Sequence, residues 1–317
     1  MEKYIKAYEY EKNVNPPLKG IPLFEKNIQD CEYGITFIDF AELYNIDYKS
    51  TSPNLLASFI RLNNDKKKEI CLQNNYNTEN INNSNNFING TSHLFYILNG
   101  KCEISIDNEL FTLLTGEIMI TPFFNTLNII NKNENDDDDD DDELQIYYIN
   151  DSPLVNYLGN RPIKKIFKTA VYSKDFLLHN LEILSNPKNN RKGILLSNSD
   201  TDKIGTNTIT PVLWALYNEL PPNTIQKPHK HNSVALDLCI KCSDSPNIYT
   251  LVGYELDKNG TIINPIKINW KEGGMFITPP GMWHSHNNIG NTYAYILPIQ
   301  DAGLLLYQRI LGIVLEH

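Results

Sequence analysis

Apolar residues in this chain come in short runs, and polar or turn-forming residues interrupt them before a helical period is established. The runs Leu-Phe-Tyr-Ile-Leu at 94–98, Cys-Glu-Ile-Ser-Ile at 102–106 and Ile-Tyr-Thr-Leu-Val-Gly at 248–253 are rich in β-formers and bounded by Gly, Pro or Asn. That spacing predicts an all-β sandwich or barrel. One segment departs from it: Ser173 followed by Lys-Asp-Phe-Leu-Leu-His-Asn-Leu-Glu-Ile-Leu, ending at 184, reads as an N-capped short helix, and Asn-Pro-Lys-Asn-Asn at 186–190 as a loop. Residues 1–48, with Pro16-Pro17 and a strand-like piece at 34–40, read as a covering arm.

The pattern occurs twice. Ser52-Pro53 opens (S/T)-P-x-L-x-A-x4-L, and so does Thr210-Pro211. Gly116, Pro122 and Asn131 stand at the spacing of Gly273, Pro279 and Asn288; Asp151, Leu154 and Tyr157 stand at that of Asp301, Leu304 and Tyr307. The three pairs keep their order and are displaced by 158, 157 and 150 residues, as a duplicated domain would be. The drop to 150 places seven extra residues in the first copy between its Asn and its final Asp, an interval containing seven consecutive aspartates at 136–142. We read the acidic run as a solvated loop insertion, because adjacent like charges without shaping glycines make a poor calcium loop. The Asn-rich stretch 74–89 reads as a second insertion. The expected domains are an arm at 1–48, a barrel at 49–160, a connector at 161–205 and a second barrel at 206–317.

Composition narrows the function classes. The net charge of −10, part of it from the acidic run, argues against a nucleic-acid-binding surface, and no segment approaches twenty apolar residues, so neither nucleic acid nor membrane is an expected partner. The N-terminus lacks an apolar core followed by small residues, which points to an unprocessed cytoplasmic protein. Five widely spaced cysteines do not form a disulfide framework, and Cys239 and Cys242 lie inside an apolar strand pattern, as buried thiols would.

Four of the seven histidines fall in two short segments. His229 and His231 are two apart, so on a strand they share a face, roughly 6–7 Å apart, and can close on one ion; alone, such a pair is equally a surface feature of a polar turn. His284 follows the strand-like 275–278 and the turn Pro279-Pro280-Gly281, in which Pro fixes φ and Gly accepts a positive φ. His286 lies two further on the same face. Together these residues point to a metal site.

The spacing G-x5-P-x-G-x2-H-x3-N from Gly273 to Asn288 resembles the second sequence motif of the cupin superfamily. With the duplication and His229-Lys230-His231, residues 50–317 resemble a bicupin, two tandem double-stranded β-helix barrels, of the gentisate 1,2-dioxygenase-like group. Trp283-His284-Ser285-His286 is similar to that group's W-H-x-H element. The resemblance implies a mononuclear non-haem iron on His229, His231 and His284, with His286 either a fourth ligand or a neighbour to the ligands, and a dioxygenase acting on a small oxygen-chelating substrate. Three imidazoles equally accept Mn, Ni or Zn. A cupin isomerase or lyase, or a non-catalytic ligand-binding cupin, would use the same residues.

Copy one has Phe124 and Leu127 where copy two has Gly281 and His284, and Asn89, Gly90 and Thr91 where H-x-H is expected; His93 stands alone near the usual cupin glutamate position. The first barrel is therefore expected to be structural. Where the gentisate group has an arginine for the substrate carboxylate, this chain has Asp237, which if buried and ionised would repel a carboxylate by several kcal/mol, on the order expected for close like charges. Asp237 is then a base, a partner for an imidazole, a ligand for a neutral or cationic group, or a surface position on an edge strand. Met282 and Trp283 are expected at the cavity wall. The apolar tail 304–314 is expected to pack internally or against a second copy of the chain.

Overall fold

A computed structural model describes residues 4–74, 88–133, 143–186 and 191–316; the acidic run at 136–142 and most of the Asn-rich stretch lie outside them. Each copy contributes two antiparallel sheets. In copy two the larger has the order Gly274–Thr278, Ala235–Lys241, Ala294–Gln300, Trp214–Leu220, and copy one repeats it as Ile118–Pro122, Ser92–Asn99, Glu143–Asn150, Leu56–Asn63. The smaller runs Ile266–Asn269, Ile248–Gly253, Trp283–Asn288, His229–His231 in copy two and Glu109–Leu114, Lys101–Ile106, Thr126–Asn131, Glu69–Gln73 in copy one.

The repeated residues are those that fix backbone. Ser52 Oγ and Thr210 Oγ1 accept from the amides of Leu55 and Leu213, closing the same turn before the first strand at 3.2 and 2.9 Å. Asp151 accepts from the amide of Ser92, and Asp301 from that of Val234, tying the end of each copy to the start of its second large-sheet strand. Asn288 donates its side-chain amide to Leu220 O, and Asn131 reaches Leu62 O in the same way. Gly116 and Gly273 both have positive φ, +91° and +71°, a conformation L side chains resist.

Segments outside the repeat extend its sheets. Phe24–Asn27 pairs with Gly274–Thr278 of copy two, while Gly34–Ile38 pairs with Leu56–Asn63 of copy one, so the arm adds one strand to each large sheet. From the connector, Ala170–Tyr172 joins copy one and Lys192–Leu196 joins copy two; between them the expected helix forms at Lys174–Leu184, capped by Ser173 Oγ. Ile313–Leu315 pairs with His229–His231, so the tail's final strand joins the small sheet of copy two while all three of its residues stay exposed. Among the described residues no helix is long and apolar enough to cross a membrane.

Side chains alternate across each large sheet with period two. One face packs the two copies together in a shared core that includes Phe59, Leu94 and Tyr147 of copy one and Leu236, Ile277 and Leu297 of copy two. The other face points into the copy's own barrel. Inside copy one, Phe95 stacks on Tyr148 at 4.3 Å, and Phe124, Leu127 and Ile129 fill the remaining space. His93 is buried there, its Nδ1 2.8 Å from Tyr148 Oη and its pKa held down to about 3 by burial, so it sits neutral in a packed interior. Phe124→Ala is expected to lower unfolding stability by about 3–5 kcal/mol, measured by denaturant titration, since a ring this enclosed leaves a cavity behind.

Candidate metal centre

The strand Trp283–Asn288 runs between His229–His231 and Ile248–Gly253, and its register sets the site. His284 lies directly opposite His229 on one side and Val252 on the other, while His286 lies opposite Thr250. Alternation sends His284 and His286 inward and Trp283 outward, where Lys230 stands 4.7 Å from its ring. Trp283 and Met282 are thus absent from the cavity wall, contrary to expectation; Trp214 from the first large-sheet strand supplies the aromatic face instead. Gly281, at φ +80°, turns the chain into this strand and donates its amide to His231 O at 2.7 Å, pinning the turn to the opposing histidine strand.

His229, His231 and His284 each bring one ring nitrogen to a common point, all within 4.8 Å of one another. His286 stands beside this cluster, its ring centroid 5.8 Å from that of His284. Its Nδ1 is 2.8 Å from Thr250 Oγ1, which also accepts the indole N–H of Trp270 at 2.8 Å. The indole N–H and the imidazole thus meet at one hydroxyl, which holds Nδ1 of His286 in place. Burial lowers the pKa of all four imidazoles, that of His286 to about 3, so they are neutral at physiological pH and carry lone pairs.

The proton positions fit a cation. Nδ1 of His231 faces Ser233 O at 2.9 Å and Nδ1 of His284 faces Met282 O at 3.1 Å. A peptide oxygen only accepts, so both rings are protonated on Nδ1 and present an Nε2 lone pair. Among the described residues Nε2 of His231 is buried without a hydrogen-bond partner, an arrangement that costs free energy unless something else takes the lone pair.

The cluster opens into a cavity of about 300 Å³ walled by Trp214, Leu216, Pro298, Ile313 and Leu315, with Asp237, Gln300, Asn218 and Arg191 as polar groups. Asp237 lies on the central strand Ala235–Lys241, paired on both sides, and is 2% exposed, which overturns the surface edge-strand alternative. Its carboxylate accepts from Thr278 Oγ1 at 2.8 Å, yet burial outweighs that bond and raises its pKa to about 7. Arg191, at the start of Lys192–Leu196, donates to Lys227 O at 2.6 Å and to His229 Nδ1 at 3.1 Å. Neither Arg191 nor the wall contributed by Ile313 and Leu315 had a sequence signal, because each reaches the cavity from a segment outside the repeat.

Register also shows what fills the matching positions in copy one. Leu72 is opposite Leu127 as His229 is opposite His284, and Phe95 and Tyr148 occupy the places of Asp237 and Pro298. The counterpart of the histidine strand is therefore Glu69–Gln73, and the position expected at Asn89–Thr91 is corrected to Leu72 and its neighbours. The expectation slipped because the Asn-rich insertion separates that strand from Ser92–Asn99.

No protein-family model and no curated protein matches the sequence. Solved structures do match the fold. Salicylate 1,2-dioxygenase from Pseudoaminobacter salicylatoxidans superposes with a TM-score of 0.68 at 12% identity, covering 99% of this chain and 94% of that one. A mutant of the same enzyme in complex with gentisate gives 0.68 and 12%, covering 99% and 92%. A mutant of Bacillus subtilis oxalate decarboxylase gives 0.53 and 12%, covering 87% and 76%. The fold is that of a bicupin. Within this fold the histidine cluster belongs to the C-terminal barrel, and the N-terminal barrel has the same strand frame filled mainly by apolar side chains.

Asp237 gives a pH-dependent stability whose sign is fixed. A carboxyl that holds its proton more tightly folded than unfolded contributes fully below the unfolded pKa of about 4, and that contribution is lost as the pH rises toward about 7. Thermal denaturation across this window should show the native chain losing up to about 4 kcal/mol relative to Asp237→Asn, which cannot ionise. Parallel stability curves for the two proteins would refute the assignment.

Proposed function

We propose that this bicupin binds one divalent transition metal through His229, His231 and His284 and acts as a dioxygenase-type oxidoreductase on a small substrate bearing adjacent oxygens. The observation that carries the reading is the orphaned Nε2 of His231, buried among neutral imidazoles. Iron(II) is the metal the resemblance implies, and manganese, nickel and zinc suit the same ligands. An ion on three neutral imidazoles keeps coordination positions open and supplies Lewis-acid and redox chemistry to what binds there.

The chain's own residues then orient the substrate. Trp214, Leu216 and Pro298 make a dry wall against which a planar ring packs, and Arg191 offers N–H groups to an anionic substituent. That guanidinium answers the difficulty raised by Asp237 for a carboxylate substrate, since a cation and a half-neutral acid now share the cavity. Asp237, titrating near neutrality, is suited to take a proton from a substrate hydroxyl and return it. His286, its Nδ1 engaged by Thr250, is held beside the cluster and is suited to a positioning role. The first barrel, filled by Phe95, Phe124, Leu127 and Tyr148, is structural in this reading.

The same buried acid would serve a cupin lyase or isomerase, which moves protons without consuming oxygen. Anaerobic purification followed by elemental analysis is expected to find about one transition metal per chain, lost in His231→Ala and His284→Ala. With iron bound, oxygen uptake on catecholic or hydroxybenzoate substrates is the expected activity. Metal content unchanged in both variants would sink the site; iron without oxygen uptake would transfer the assignment to the lyase or isomerase class.

A further inference from the structure

The strand Ala235–Lys241 carries an irregularity that the metal centre does not use. Asp237 pairs with Pro298 and Cys239 with Ile296, but the next paired residue, Lys241, stands opposite Tyr295, so two residues of this strand face one of its neighbour. Such a bulge inserts one residue and resets the alternation of side chains. Cys239 and Cys242, three apart, would otherwise point to opposite faces; here both enter the cluster that holds Val252, Trp270 and Phe276. Ile240 packs on the other face, against the core shared by the two copies, and Lys241 is exposed. The bulge turns a C-x-x-C spacing in an apolar strand into a pair of neighbouring thiols.

The two thiols are not alike. A hydrogen bond from Cys239 holds the Cys242 thiol below its ordinary range, while burial holds the Cys239 thiol well above it. The backbone amide of Cys242 donates to the Glu272 carboxylate at 3.3 Å, and its thiol donates to Trp270 O at 3.5 Å. Neither sulfur is sealed in. Cys242 follows the last residue of the strand and is 8% exposed, and Cys239 lines a cavity of about 230 Å³ walled by Glu25, Asn27, Trp270 and Phe276. Access of this kind admits an oxidant of a few atoms and excludes a bulky disulfide. Cys102, enclosed in the first barrel with its thiol pushed up to about 12 by burial, is an internal reference for an inert thiol.

We propose that Cys239 and Cys242 form a thiol-oxidation site that closes to an intrachain disulfide on reaction with hydrogen peroxide, and that closure is felt at Trp270. In the first step the Cys242 sulfur attacks one peroxide oxygen; an S–O bond forms, the O–O bond breaks, and the other oxygen leaves as water with the thiol's proton. In the second the Cys239 sulfur attacks the Cys242 sulfur; an S–S bond forms, the S–O bond breaks, and the hydroxyl leaves as water with the Cys239 proton. Two thiols give up two electrons, and peroxide is reduced to two waters. The disulfide has no S–H, so Trp270 O loses its thiol donor. Trp270 also donates its indole N–H to Thr250 Oγ1, the hydroxyl that meets Nδ1 of His286, so the thiol pair is joined to the wall of the histidine site through one residue. The thiol chemistry requires no metal at the histidines.

The test treats the full chain with hydrogen peroxide and then unfolds it in an alkylating agent. Peptide mapping should find Cys239 and Cys242 lost from the alkylated fraction and joined in one peptide lighter by two hydrogens, with Cys102 still alkylated and both thiols recovered after dithiothreitol. Peroxide that oxidises the half-buried Cys71 and leaves Cys239 and Cys242 alkylated would overturn the site, as would a bond from either of them to another cysteine. Dimedone should trap a sulfenic acid on Cys242 in Cys239→Ser and none on Cys239 in Cys242→Ser; the opposite pattern would overturn the order of attack. Should neither variant fold, the map of the native chain decides. In nitrogen-labelled protein the Trp270 indole N–H signal should shift on oxidation and return on reduction. A signal that stays in place while the disulfide forms would confine the change to the thiols and overturn the link to Trp270.

Discussion

The site depends on one strand being held between two others in a single register. Trp283–Asn288 pairs with His229–His231 and with Ile248–Gly253, and because side chains alternate, one set of backbone bonds brings His284 and His286 inward together. A slip of one residue would turn both outward and bring Trp283 and Ser285 into the barrel. Register is secured at the turn by the Gly281 amide on His231 O, and at the far end by Asn288 on Leu220 O. The histidine strand, only three residues long, is backed on its other edge by Ile313–Leu315. Convergence of three neutral imidazoles is thus enforced by main-chain hydrogen bonds on rings that would otherwise be better solvated in water.

The duplication shows what the frame needs and what it does not. Turns, Asp locks and the Asn bridge recur in both copies because they satisfy backbone groups that the strand frame of each copy leaves over. Interior residues are free to diverge as long as the volume is managed. Copy one manages it with stacked rings at Phe95 and Tyr148; copy two places Asp237 and Pro298 there and leaves a cavity. Dense packing recovers dispersion energy that an open interior forgoes, so the filled barrel contributes stability and the open one gives it up for a polar site. The two share a core through their large sheets, which couples the stable copy to the costly one.

Much of this was legible in the sequence. Gly273, Pro279, Gly281 and Asn288 mark a turn whatever surrounds it, and the same spacing at Gly116 to Asn131 identified the second copy. His229, His231 and His284 were readable because strand period and turn chemistry are local. Where an insertion broke locality, the reading slipped: the copy-one counterpart of His229 is Leu72, on the far side of the Asn-rich stretch from the position expected. Trp283 was expected at the wall since it adjoins His284, but adjacency on a strand means opposite faces.

The sequence by itself determined the barrel class, the duplication and which copy keeps the histidines, since each follows from residue type at short, fixed spacing. Tertiary structure decided the electrostatics and the occupants of the cavity. Asp237 titrates near neutrality only because the strands on both sides of it exclude water. Arg191 meets His229 across 38 residues, from the connector just ahead of Lys192–Leu196, which carries no motif. Thr250, on a further strand, and Trp270, just past the end of another, hold Nδ1 of His286. Such contacts depend on which elements the fold brings side by side, and long-range pairing leaves no periodic trace in the chain.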